Sequence, residues 1–549
     1  MGVVWSGPQK WAAATMSLAI AAAPLVAATS ASAAAKPSNG SVHGTIWGDK
    51  SVDKASLDAY GKNDAKKDPG SLYTITTAIG ARALWQTKDS LGQPITGQGV
   101  TVAVVDSGVA AVPGLDALGK IVRGPDLSLE ANSTQALSFD TFGHGTHLAS
   151  IIGARDAAAV DPTTGALNVA DPTAQLGVAP GARLLALKLA ATDGSTDVSQ
   201  VIAALDWVTQ HRNDNGMRVR VVNLSFGTQA LQSYQVDPLA AAAENAWRHG
   251  LVVVVSGGNE GASAGGLTNP AIDPYVIAVG ASDPQGKVNG WKKPVVADFS
   301  SQGTAVRHVD LLAPGRSIVG LRDPGSFVDL NHPEGKVLGD ASGRLFRGSG
   351  TSQAAAVVSG AAALLLQDFP QLTPDQVKAA LVSTADGVAG LDPVAGGAGQ
   401  LNVAAADSAV RSALKLQTKT SVILDVRQSF PLATGTGSME LARGGANIVD
   451  GETGQVLAGE VDIQGMPWDG SVWAQGSAAA SNWVGGTWNG ARWSGDGWTS
   501  TGWSSARWSS ARWSGALWDS ARWSSARWSS ARWSGAEWDS ARWSSARWS

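Results

Sequence analysis

The sequence predicts an α/β protein of three layers, with helices on both faces of a mostly parallel sheet, followed by a C-terminal repeat region that is β-rich or of low complexity. Three observations lead there. Short, unbroken apolar runs recur along the first 400 residues, of the kind that fill strands buried on both faces. Amphipathic or Ala-rich segments of helical length separate them. From Trp468 to Trp548 a Trp stands at every fifth position except 478, which is Ala.

The first strand is Val100–Val105, ending in Asp106-Ser107-Gly108. An Asp just past the C-terminal end of a parallel strand sits where open α/β sheets build their sites. Phe142-Gly-His-Gly-Thr-His147 then opens a helix through Ile152, with glycines flanking His144. His144 and His147 are three apart, but no Glu lies between them at metalloprotease spacing, so a metal pair is not expected.

A second strand follows the turn at Pro180-Gly181 and runs to Leu189. Asp197–Gln210 is helical, with Val198, Val201, Ile202, Leu205 and Val208 on one face. A third strand, Val219–Leu224, ends in Ser225-Phe226-Gly227. A helix over Pro238–His249 is closed by Gly250. A fourth strand, Leu251–Val255, ends in Ser256-Gly257-Gly258-Asn259, and Tyr275–Val279 makes a fifth. Gly348-Ser-Gly-Thr-Ser352 is a turn running into an apolar helix that continues to Leu366; a helix over Pro374–Thr384 comes after it. Ser352 thus stands at a helix N-terminus, where backbone N–H groups and the helix dipole favour developing negative charge. Taken alone, such a Ser is as well explained as a helix cap.

Bulk properties narrow the function. A net charge of −4 gives no electrostatic case for nucleic acid, and the absence of Cys excludes disulfides and thiolate metal sites. The first 33 residues read as a secretory signal: Lys10, an apolar stretch from Trp11 to Ala28, and Ala31-Ser32-Ala33 as cleavage site. An uncleaved membrane anchor is the alternative, and no other membrane span is expected. Residues 34–72 are polar, a short pro-segment or an N-terminal arm.

Asp106, His144 and Ser352, in this order and with these flanks, make the chain resemble the subtilisin-like serine proteases, the S8 subtilases. The matching pieces are Val-Val-Asp106-Ser-Gly, Gly-His144-Gly-Thr-His and Gly-Thr-Ser352-Gln-Ala-Ala, with Val-Ala-Pro180-Gly, Asn-Leu-Ser225-Phe-Gly, Gly-Gly-Asn259-Glu-Gly and Leu-Ala-Pro314-Gly between them. The resemblance covers about Tyr73 to Ala406. It implies a peptidase domain over 73–410 in which Ser352 is the nucleophile, His144 the base, Asp106 its orienting carboxylate and Asn259 an oxyanion donor. His147 is then structural.

By the same resemblance Ser225, Phe226 and Gly227, with Ser256, Gly257 and Gly258, bind substrate backbone and wall the pocket for the residue cleaved. Glycines there predict an open pocket for large apolar side chains. The chain departs from the family at Ala356, where proline is usual, and at Gln353, where methionine is usual. The long gap from Asn259 to Ser352 predicts insertions around 287–294 and 320–347. No cofactor is expected; family members often hold structural calcium, but no loop here stands out as a site.

Residues 411–467 read as a connector, β-rich in its Val- and Leu-containing runs. The repeat over 468–549 settles into Ala-Arg-Trp-Ser-Ser units. A spacing of five suits neither a helix face nor one side of a strand. A coil turning a corner in each unit would align the Trp residues; a low-complexity tail is the alternative. Trp stacks on sugar faces and Arg pairs with anions, so the tail is expected to dock on cell-wall polymer. The expected function is a secreted serine endopeptidase acting on polypeptides, with a surface-docking tail. The rival is a non-catalytic cell-surface binding protein on the same scaffold.

Overall fold

The computed structural model describes residues 46–47 and 64–493, apart from 132–138, 162, 164–165, 263–264, 389, 417–420 and 450–454. The expected leader (1–33), most of the 34–72 arm and the repeat units after Trp493 lie outside the described residues.

The strands are β1 (Ile46–Trp47), β2 (Thr101–Asp106), β3 (Ile121–Asp126), β4 (Arg183–Lys188), β5 (Val219–Leu224), β6 (Val252–Ser256) and β7 (Ile277–Asp283). They continue as β8 (Val295–Val296), β9 (Leu311–Pro314), β10 (Ile318–Leu321), β11 (Leu345–Ser349), β12 (Thr487–Trp488) and β13 (Ala491–Arg492). The helices are α1 (Leu72–Ala78), α2 (Ala81–Trp85), α3 (His144–Gly153), α4 (Val198–His211), α5 (Pro238–Arg248) and α6 (Phe327–Asn331). After them come α7 (Thr351–Asp368), α8 (Pro374–Ser383), α9 (Pro393–Gly396), α10 (Val403–Leu416), α11 (Met439–Arg443) and α12 (Gly470–Ala478).

An eight-stranded sheet lies at the centre in the order β3-β4-β2-β5-β6-β7-β8, with β9 also paired to β7. Only the β7–β8 pairing in it is antiparallel. β2 and β6 are buried along their whole length, which is why they read as unbroken apolar runs. β3 went unforeseen: its first three residues are half-buried, and Gly124-Pro125 interrupts its apolar character.

On one face α4 packs against α5, and on the other α3 packs against α7. α4 starts with a capping box in which Asp197 and Gln200 satisfy each other's end of the first turn. α5 starts at Pro238 under an Asp237 cap, and Gly250 follows its end with φ 89°. Every residue of α7 except Gln367 is buried. Small residues make that possible: a Cβ on Gly360 would lie 2.6 Å from the Cβ of Val178.

The N-terminal arm is built into this body from residue 64 onward. Asp68 is buried and paired to the buried Arg347 of β11, and the Val319 amide donates to the Gly70 carbonyl at 2.8 Å. The insertion around 287–294 is a single-turn 3-10 helix over Val288–Lys292.

Two expectations for the C-terminal part need correction. Among the described residues of 411–467 there is the end of α10 and the short helix α11, with isolated bridges in place of strands. The described part of the connector is therefore not β-rich; hydrogen-bonding groups there are met by the peptidase body instead. Tyr275 donates to the Phe430 carbonyl at 2.8 Å, and the Ala433 amide donates to Glu244 at 2.7 Å. Arg443 is wholly buried and donates to Asp197 at 2.7 Å.

The second correction concerns the Trp spacing. The described repeat units do not form a regular coil: Trp473 lies on α12, Trp488 on β12, and Trp493 follows β13. Their rings nevertheless gather, with centroids of Trp468–Trp473, Trp468–Trp488 and Trp488–Trp493 at 5.2, 5.9 and 6.0 Å. The cluster is continuous with the main core.

Its polar anchor is Asp206 on α4. This carboxylate accepts from Nε1 of both Trp473 and Trp488 and from Asn482 Nδ2, each at 2.8 Å, and from Ser477 Oγ at 2.6 Å. Burial raises its pKa, an effect the four donors only partly counter. Removing the acceptor would leave three buried donors unmet, the indole N–H groups of Trp473 and Trp488 and the Ser477 hydroxyl. Asp206→Ala is therefore expected to cost at least about 3 kcal/mol and to open residues 468–493 to added protease, both measured in a Ser352→Ala background. Unchanged melting and unchanged digestion would show that the anchor is dispensable.

Candidate active site

Asp106 is the last residue of β2, and His144 is the first of α3. Asp106 Oδ1 lies 2.8 Å from His144 Nδ1, and both side chains are fully buried. Glycine is what lets these segments meet. A Cβ on Gly145 would stand 2.1 Å from the Gly108 carbonyl oxygen. Gly143, just ahead of the helix, has φ 103°, a region that side chains disfavour.

A buried polar set outside the motifs fixes the same turn. The Asp140 carboxylate accepts from Gly143 N–H at 2.6 Å, from Thr146 N–H and hydroxyl at 2.7 Å each, and from Ser107 Oγ at 2.8 Å. Ser107 Oγ in turn accepts from Gly145 N–H at 2.9 Å. Burial pushes the Asp140 pKa up. Lys188, beside Asp106 in the β4 register, supplies the compensating charge. Its Nζ lies 3.0 Å from Glu130 Oε2 and donates to Thr141 Oγ1 at 2.9 Å. Burial alone would lower the Lys188 pKa, but Glu130, Asp126 and Asp140 hold it above the usual lysine value.

His147 sits one turn into α3, fully buried, with Nε2 3.2 Å from the Phe346 carbonyl oxygen. Burial first, and His144 second, push its pKa down to about 3. It is a neutral imidazole packed under β10 and β11. Among the described residues, no three His, Cys, Asp or Glu side chains converge as metal ligands.

Ser352 is the second residue of α7 and is buried. The turn before it is held from three sides. The Gly350 amide donates to the Gly315 carbonyl at 2.9 Å, so the Leu-Ala-Pro314-Gly segment backs the turn that leads into Ser352. Thr351 N–H and hydroxyl donate to Asn259 Oδ1 at 2.8 and 2.9 Å. Ser225 Oγ reaches the Ser352 carbonyl at 3.4 Å, and Asn223, itself bonded to Ser359 Oγ at 2.9 Å, donates to Ser225 at 3.1 Å.

α3, which begins at His144, and α7, which carries Ser352, pack closely enough that an ideal Cβ on Gly360 would lie 3.3 Å from the Ile152 carbonyl oxygen. Asn259 is half-buried at the loop after β6. With its Oδ1 engaged by Thr351, its amide nitrogen is turned away from that contact as a donor.

Ser225, Phe226 and Gly227 follow β5, and Ser256, Gly257 and Gly258 close β6; all six are buried. The glycines among them lie against the protein's own atoms. A Cβ on Gly227 would lie 2.5 Å from Thr268 Oγ1, and one on Gly258 2.5 Å from Glu260 Oε2. One on Gly257 would lie 3.1 Å from the Val279 carbonyl oxygen. These glycines accommodate the protein's own packing, so they give no measure of pocket size. Sequence reasoning also missed Asp140, Lys188, Thr351 and Asn223. Lys188, a cation closing the apolar run of β4, carried the clearest signal.

The profile described as the Subtilase family, peptidase S8, matches residues 97–412. Serine protease AprX of Bacillus subtilis is 35% identical over 317 residues, 57% of this chain and 66% of that protein. Subtilisin DY of Bacillus licheniformis is 33% identical over 316 residues, 57% of this chain and 93% of that protein. A crystal structure of a cold adapted subtilisin-like serine proteinase aligns at 28% identity over 56% of this chain and 88% of its own, with a TM-score of 0.40. Because the family match spans more than half of the chain and falls on the segment carrying Asp106, His144, Asn259 and Ser352, the chain belongs to the subtilase family and is a serine-type endopeptidase.

Proposed function

We propose that the protein is a secreted endopeptidase in which Ser352, His144, Asp106 and Asn259 carry the chemistry. The observation that supports this most directly is the buried 2.8 Å contact between Asp106 and His144 Nδ1. It keeps the ring proton on Nδ1, so Nε2 carries the lone pair. Ser352 Oγ attacks the peptide carbonyl and passes its proton to His144 Nε2. The tetrahedral oxyanion accepts hydrogen bonds from Asn259 Nδ2 and from the Ser352 amide, which lies in the first helical turn where no intrahelical acceptor exists. His144 then gives the proton to the leaving amine as the C–N bond breaks. Water, deprotonated by His144, attacks the ester and releases the second product. Asp106 stabilises the imidazolium in both halves.

Substrate backbone pairs with 225–227, and the residue cleaved enters between that segment and 256–258. Export rests on the leader-like residues 1–33; among the described residues no helix is long and apolar enough to cross a membrane. Docking on cell-wall polymer is assigned to the Ala-Arg-Trp-Ser-Ser units after Trp493, where seven Arg stand against four acidic residues.

The rival, a non-catalytic binder, is separated by one experiment. A fluorophosphonate probe is expected to label the wild-type protein and not Ser352→Ala; an unlabelled wild type would leave only the binder. Asn259→Ala is expected to lower kcat by about 10²–10³ with little change in KM, a magnitude taken over from subtilisin rather than from this geometry.

His147 gives a pH test of its non-catalytic role. Its folded-state pKa is lowered to about 3, so from about pH 6.5 downward the unfolded chain binds a proton that the folded chain refuses. Stability from this group is full above about pH 6.5 and is lost progressively toward pH 3. Urea midpoints measured between pH 4 and 7 are expected to fall less steeply in His147→Gln. An identical slope would overturn the assignment.

A further inference from the structure

We propose that the insertion between β10 and β11 builds an aromatic wall, Phe142 with Phe327, that selects a large apolar side chain at P2, the substrate residue preceding the one cleaved. This rests on the catalytic reading above.

The insertion, residues 322–344, is pinned onto the turn that leads to His144. Phe327 N–H donates to the Thr141 carbonyl at 2.9 Å and Val328 N–H to the Phe142 carbonyl at 3.0 Å. Asp329 of α6 takes Arg322 through both carboxylate oxygens and has Lys336 at 3.4 Å. Arg344, at the far end, pairs with Asp156. The segment is thus clamped at its start, middle and end.

Its aromatic product lies beside the base. The Phe142 and Phe327 rings stack at 5.9 Å with an interplanar angle of 26°, and Phe142 lies 6.4 Å from the His144 ring. Behind the pair, Phe142 packs on the buried Val328 and Phe346. Its outer edge reaches Gly194, where an added Cβ would meet the ring at 2.9 Å. Both phenyl rings remain partly exposed. A rigid, half-exposed aromatic pair next to a catalytic imidazole is a contact surface for substrate.

Strand alternation identifies which residue it meets. A peptide extended along 225–227 turns the side chain of the residue cleaved toward 256–258. The residue before it turns to the opposite side, toward β2 and His144. β2 neighbours β5 on the side away from β6, so that side chain is directed to the Phe142–Phe327 face.

The test uses the full-length protein and peptides identical except at P2 (Gly, Ala, Leu, Phe) or at P1′, the residue after the bond. Phe327→Ala is expected to lower kcat/KM about tenfold for Leu and Phe at P2 and less than about twofold for Gly. Phe327→Leu should restore the Leu substrate, and the rate of fluorophosphonate labelling should be unchanged. A uniform loss over all P2 residues would mean that Phe327 only supports His144, and a loss that follows P1′ would move the wall to the leaving side; either overturns the proposal. A wild type that is not labelled would overturn the catalytic reading itself, and this proposal with it.

Discussion

The structure depends on a backbone contact with no room for a side chain. The chain leaving β2 and the chain entering α3 touch at Gly108 and Gly145, where an added methyl would stand 2.1 Å from a carbonyl oxygen. The missing side chain at Gly145 lets Asp106 and His144 come within 2.8 Å while both are buried. In the proposed catalysis such placement matters, since misplacement by about 1 Å can cost roughly a hundredfold. A steric fact about one glycine thus sets the geometry of the pair. Ser107 and Asp140 then hold the turn by hydrogen bonds that pass directly between the two segments.

That arrangement concentrates negative charge in a dry place. Asp106, Asp126, Glu130 and Asp140 are all buried around the ends of β2, β3 and β4. Burial favours the protonated form of Asp140, whose pKa is raised. Lys188 answers it with a buried ammonium whose hydrogen bonds also reach the carbonyl oxygens of Ser107 and Ala190. One cation therefore both neutralises the cluster and ties the Asp106 turn to the loop after β4. Its own burial is costly, and the surrounding carboxylates outweigh that cost.

The parts of this design legible in the sequence are those with local signatures. β2, β5 and β6 are buried on both faces and read as apolar runs; α4 and α5 begin with an Asp cap; the segments around Asp106, His144 and Ser352 carry small residues around one chemical group. What stayed hidden was set by partners far away in the chain. Asp140 resembles any turn Asp until four donors are found around it. Asn223 matters through Ser225 and Ser359, more than a hundred residues from the latter. β3 pairs with β4 despite Gly124-Pro125, because its edge position asks less of it. Glycine at 257 and 258 leaves space either for a ligand or for the protein, and the atoms that an added Cβ would meet there are the protein's own.

The same distinction governs the tryptophans. Up to Trp493 the repeat has few charges: Ser477 and Asn482 join the indole N–H groups in satisfying Asp206, and the rings extend the core. One buried carboxylate serves several units because each offers a neutral donor. Arg enters the repeat at 492 and recurs beside most later Trp. A guanidinium packed in that manner would need a carboxylate of its own, and the units after Trp493 hold seven Arg against four acidic residues. Their composition therefore differs from that of the earlier units although the spacing is the same. The tryptophans up to Trp493 are committed to holding the peptidase together, and the later units carry a local excess of positive charge, which is what the proposed docking on an anionic surface would use.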